Sequence, residues 1–101
     1  MATLHTVNIS PYAGSALASC LRFAMPGSGI LLIEDAVVAA VAGSTWSQAL
    51  AEAMRDYRLY VLRPDLEARG LSEKLMSGIT VVDDAGFVAL TVEHDKVVAW
   101  S

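Results

Sequence analysis

One cysteine, two histidines and a few adjacent acid pairs are the residues of this chain suited to covalent, acid–base or metal chemistry: Cys20, His5, His94, Glu34-Asp35 and Asp83-Asp84. A lone cysteine cannot close an intrachain disulfide, and one Cys with two His falls short of a zinc site, so the sequence implies no metal and no cofactor. Sulfur chemistry would rest on one thiol. Such a thiol needs a pKa lowered by a helix N-terminus or a nearby cation, together with access to a partner. Cys20 instead shares a helical stripe with Leu17, Leu21 and Ala24, several residues past the helix start, which is the spacing of a buried small hydrophobe. Arg22 and Arg55 are the cations that could activate it, and spacing alone does not place them. There is no G-x-S-x-G elbow and no matched Ser/His or Cys/His spacing, so no triad can be drawn.

The other polar groups have simpler structural readings. Glu34-Asp35 could act as an acid/base pair or as metal ligands, but neighbouring residues at a strand-to-helix junction point apart, and Asp35 reads better as an N-cap. His5 falls inside a strand pattern, where a lone His is ordinarily a hydrogen-bonded core residue. His94 ends the last helical pattern, where it favours the helix dipole. The segment NISPYAGS at 8–15 runs into a helix start and could hold an anion, but it reads better as a turn shaped by Asn8, Ser10 and Pro11 that starts the helix. The Gly27-Ser28-Gly29 turn precedes a strand, whereas dinucleotide and phosphate loops follow one.

These residues hang on alternating strand and helix patterns. Strands are expected at 3–7, 30–33, 58–62, 79–82 and 96–100. Helices are expected at 15–25, from Asp35 to Gly43, from Thr45 or Ser47 to Met54, after Pro64 up to Gly70, and from Asp83 or Asp84 onward. The run ILLI at 30–33 has no polar alternation, as a strand covered on both faces requires, so it is expected in the middle of the sheet. The β-α alternation implies right-handed crossovers and a three-layer α/β/α fold with a mostly parallel five-stranded sheet. Carboxyl ends of the strands, where open parallel sheets gather ligands, then carry Asn8 to Tyr12, Glu34-Asp35, Arg63-Pro64-Asp65 and Asp83-Asp84.

Composition sets the context. The 101 residues allow one domain, 1–101, and are 54% hydrophobic but only 18% charged, with a mean hydropathy of +0.48. A domain this small hides only about 65% of its unfolded surface, so the apolar excess points to a subunit. The segment AVVAAVA at 36–42 is apolar nearly all round, and Val37, Val38 and Val41 are accordingly expected to lie partly in an interface. Glu34 and Asp35 break the longest apolar run, which is too short to cross a membrane. A net charge of −4, with seven thinly spread Lys and Arg, argues against direct nucleic-acid binding. The opening MATLHTV lacks the features of a secretory signal, so a cytoplasmic location is expected.

Five segments together resemble one family. They are TLHTVNISP at 3–11, SCLRFA at 19–24, LLIEDAVVAAVAG at 31–43, LYVLRPDLEARGLS at 59–72 and VVDDAGFVALTVEHDKVVAW at 81–100. In order and over the whole chain, they resemble the DsrH/TusB family. The resemblance implies the smallest subunit of a heterohexamer that relays sulfur as a protein-bound persulfide. Its partners would be two homologous α/β subunits, DsrE/TusD-like and DsrF/TusC-like, and a DsrC/TusE-like sulfur carrier. The principal persulfide cysteine of such complexes sits on another subunit. Sulfur-oxidation members tend to carry a cysteine in the first helix, as Cys20 does here, whereas TusB-type members tend to have an aliphatic residue. The expectation is therefore a DsrH-type subunit of sulfur oxidation with Cys20 as a possible secondary sulfur acceptor. The alternatives are a TusB-type subunit for tRNA wobble-uridine 2-thiolation and, in another class, an autonomous Cys20-based sulfurtransferase.

Overall fold

The computed structural model describes residues 2–101. Five strands, β1 (Thr3–Val7), β2 (Gly29–Leu32), β3 (Arg58–Leu62), β4 (Thr80–Val82) and β5 (Lys96–Trp100), form one sheet in the order β4-β3-β2-β1-β5. Every pairing is parallel, so the sheet is wholly rather than mostly so. β2 is central and its four residues are all buried, as the unbroken apolar run requires. The helices are α1 (Ala16–Phe23), α2 (Ser47–Ala53), α3 (Arg63–Ala68) and α4 (Asp84–Glu93), with a 3-10 helix at Glu34–Ala40 between β2 and α2.

Alternation along the strands divides the side chains between two faces. Val7, Ile30, Leu32, Leu59 and Val61 share one core with Leu17 and Cys20 of α1, Leu50 of α2, Leu66 of α3 and the 3-10 helix. On the other face Leu4 and Leu31 meet Leu90 and Phe87 of α4, with Ile33, Tyr60 and Val82 beside them. The layers are therefore unequal: all the helices but one cover the first face, and α4 alone covers the second.

Local chemistry accounts for three of the helix ends. Asp83 caps α4, its Oδ1 accepting from the Gly86 N–H at 2.8 Å. Pro64 stands in the first turn of α3, and Gly70, at φ +66°, ends it in a left-handed turn.

The segment after β2 departs from expectation. The pattern predicts an α-helix capped by Asp35 and running to Gly43, but the chain forms a 3-10 helix that ends at Ala40, and Asp35 caps nothing. Three residues per turn stack i and i+3 directly. Ala36 lies over Ala39 and Val37 over Ala40, and all four are fully buried against the sheet. Small residues permit that close approach. Val37, expected partly at an interface, is therefore enclosed by its own chain. The outward row is Asp35, Val38 and Val41, of which the two valines are half-buried. Val41 also bridges to Leu75, flanked by hydrogen bonds from Ala42 N to Lys74 O and from Met76 N to Ala40 O.

An aspartate at Val37 would be a buried, unpaired charge costing about 3–5 kcal/mol, whereas one at Val38 reaches solvent. Chemical denaturation should show Val37→Asp largely unfolded and Val38→Asp within about 1 kcal/mol of wild type.

Candidate functional site

Cys20 lies in the second turn of α1, whose buried stripe is Ala16, Leu17 and Cys20. Its exposure is 0%. Burial alone pushes the thiol up to about 12, so neither Arg22 nor Arg55 activates it. A thiol in that state is almost wholly protonated near neutral pH, and the thiolate is the nucleophile. Sulfur transfer at Cys20 would need α1 to lift from the sheet or a partner to change the surroundings.

His5 is on the same face of the sheet, 7% exposed. Trp100 Nε1 donates to its Nδ1 at 3.0 Å, a diagonal contact between β1 and β5, where Val7 is the register partner of Trp100. An accepting Nδ1 places the proton on Nε2 of a neutral ring. Burial, then the Lys96 charge, holds His5 below its ordinary value. His5 is a structural link, as expected of a strand histidine. His94 Nδ1 lies 2.7 Å from Leu90 O, closing the end of α4.

A polar cluster occupies the carboxyl ends of β2 and β3, where ligands gather in such sheets. Arg69 Nε and Nη2 donate to Asp35 Oδ1 at 3.1 and 2.7 Å, and Arg69 Nη1 donates to the Asp65 carbonyl at 3.0 Å. The Glu34 N–H donates to Asp65 Oδ2 at 2.6 Å. Glu34 itself has φ +50°, the one positive φ of a non-glycine among the described residues. Glu34 and Asp35 thus do not form an acid/base pair: Asp35 is an ion-pair anchor for α3. Asp65 was expected at this end of the sheet, but Arg69, and its pairing with Asp35 and Asp65, was not. The four-residue spacing of Asp65 and Arg69 in PDLEAR is the signal for a shared helix face, but only the fold brings Asp35 to them.

The turn after β1 is closed on itself. Ser10 accepts from Tyr12 N through Oγ at 3.1 Å, and from Ala13 N and Gly14 N through its carbonyl. Among the described residues no three His, Cys, Asp or Glu side chains are grouped to hold a metal. A groove of about 180 Å³ beside α3 is lined by Arg63, Leu66, Glu67, Ser72 and Val81. It is smaller than the roughly 300–1,000 Å³ of small-molecule sites and includes neither Cys20 nor His5. No described helix is long and apolar enough to cross a membrane.

These features define a class: a small parallel α/β domain that carries its one thiol in the core, with no assembled catalytic constellation around it. The comparisons agree with the motifs. A family model described as DsrH like protein matches residues 9–97. The chain is 43% identical over 98 residues to Protein TusB of Pectobacterium parmentieri, covering 96% of this chain and 99% of that one. It is 38% identical over 97 residues to Protein TusB of Escherichia coli K12, with the same coverage. The chain belongs to the DsrH/TusB family. The crystal structure of the ychN protein from E. coli shares its fold, with TM-score 0.80 and 22% identity over 98% of this chain and 99% of that one. A protein of unknown function from Methanobacterium thermoautotrophicum follows at TM-score 0.70 and 17% identity, over 94% and 95%.

Two measurements test the site. A thiol pushed up to about 12 carries about a thousandfold less thiolate at pH 8 than a free one, so native Cys20 should alkylate at that pH at least a hundredfold more slowly than in denaturant. For His5 the sign follows from proton binding: its folded pKa is depressed, so below about 6.5 the unfolded chain takes up a proton that the folded chain resists. Stability should fall as pH drops through that value and should be flat in this term above it. In thermal melts from pH 7.5 to 5, His5→Gln, which keeps an acceptor for Trp100, should lose part of the acid-side slope.

Proposed function

We propose that this chain is a TusB-type subunit of a cytoplasmic sulfur-relay complex that supplies sulfur for 2-thiolation of the tRNA wobble uridine. Identity of 38–43% to TusB proteins over nearly the whole chain carries this reading. It stands in place of the sulfur-oxidation role that a cysteine in the first helix favours, which keeps Cys20 as its one supporting observation. The role is structural and partner-binding. Two homologous α/β subunits, TusD-like and TusC-like, complete the complex, and a TusE-like carrier receives the sulfur. Val38 and Val41, on the outward row of the 3-10 helix, are offered to one of them.

The buried, protonated thiol argues against an autonomous sulfurtransferase, because an attacking sulfur must be both ionised and accessible. Cys20 is at most a secondary acceptor. Deleting the gene and analysing tRNA nucleosides by mass spectrometry tests the reading. Loss of most 2-thiouridine, restored by both wild type and Cys20→Ser, is the expected result. Unchanged thiolation with a fall in sulfur-oxidation rate would favour the DsrH-type role.

A further inference from the structure

Exposed large apolar side chains gather in two places, around Tyr12, Phe23 and Met25 near α1 and on α4 with β5, and only the second forms a regular helical ridge. Phe87 and Leu90 of α4 face the sheet, while Ala85, Val88, Ala89 and Val92 all face solvent. Their spacing, i, i+3, i+4 and i+7, makes one continuous ridge along the outer side. Val88 is 62% and Val92 78% exposed. Val97 of β5 adds to it: it pairs in register with Leu4, which lies beneath α4, so it projects from the same face of the sheet, and it is 45% exposed. Parallel sheets are ordinarily buried on both faces, and here one helix covers this one, with an apolar outer side of its own.

Charge decides the occupant. Asp83 and Asp84 stand at one end of the ridge and Glu93 and Asp95 at the other, against the single base Lys96. None of the four makes an ion pair with a described side chain. Packing the ridge on a second copy in antiparallel register sets Ala85 on Val92 and Asp84 on Glu93, while parallel register sets Asp84 on Asp84. Either way like charges meet at both ends. The complementary surface is a helix of a different chain, apolar along the ridge and bearing Lys or Arg at its two ends. The alanines at 85 and 89 allow that helix to approach closely.

We propose that the outer ridge of α4, continued by Val97, is the docking surface for such a base-flanked helix of another subunit. This rests on the sulfur-relay reading, from which the partner is taken to be one of the two homologous α/β subunits. Co-expression with those two subunits, one of them tagged, tests it. Val88→Asp with Val92→Asp should reduce co-purification at least tenfold without lowering the melting temperature of the chain alone, both positions being exposed. Asp84→Lys with Glu93→Lys should weaken assembly at low salt and flatten its salt dependence. Assembly of the double valine variant at wild-type level would overturn the surface and leave the sulfur-relay reading standing. Indifference to the charge reversal would overturn the basic partner. A wild-type homodimer by light scattering that the valine changes dissociate would replace that partner with a second copy. Wild type that does not co-purify with either subunit would overturn the sulfur-relay reading and the docking partner together.

Discussion

Parallel pairing on both sides of β1 and β2 is the constraint from which the rest of the molecule follows. Hydrogen bonding of this kind needs a crossover between every pair of strands, and each crossover must lie on one face or the other. The chain sends most of its connections to one face, where α1, the 3-10 helix, α2 and α3 build the larger core around Val7, Ile30, Leu32 and Val61. The long return from β4 to β5 is left to cover the opposite face, and it contributes one ten-residue helix. The uneven layers are therefore a consequence of topology, and the exposed valines of α4 are where that unevenness reaches solvent.

The same topology explains why the thiol is quiet. Cys20 sits on the crowded side, in a helix packed over β1 and β5, and its pKa is raised by burial with no compensating charge. Polar groups with strong pairing, Asp35, Asp65 and Arg69, gather instead at the carboxyl end of the sheet, where they tie the 3-10 helix to α3. They brace the larger core from outside.

Much of this was legible in the residues. The unbroken ILLI run marks the middle strand, Pro64 and Gly70 bracket α3, Asp83 caps α4, and the Leu17, Cys20 stripe foretells a buried thiol. What was not legible turned on period and on distance. AVVAA reads equally as 3.6 or 3.0 residues per turn, and only packing of Ala36, Ala39 and Ala40 against the sheet selects the tighter form. That change of period moves Val37 inward and leaves Val38 and Val41 outward. Asp35 reads as a cap because its true partner, Arg69, lies 34 positions away. Composition shows an apolar excess but not where it meets solvent: the exposed part includes the outer side of α4, together with Tyr12, Phe23 and Met25.

Placing β5 beside β1 also sets the order in which the molecule can form. The Trp100 to His5 hydrogen bond joins residues 95 positions apart, and the whole β1 to β5 ladder has a similar span. Contacts of such separation close late and slow folding. At ordinary translation rates of about 5–20 residues per second, β1 waits roughly 5–20 s for the strand that flanks it. During that interval Leu4 and Thr6 stand at an open sheet edge, so the nascent chain passes through a state that other strands can join.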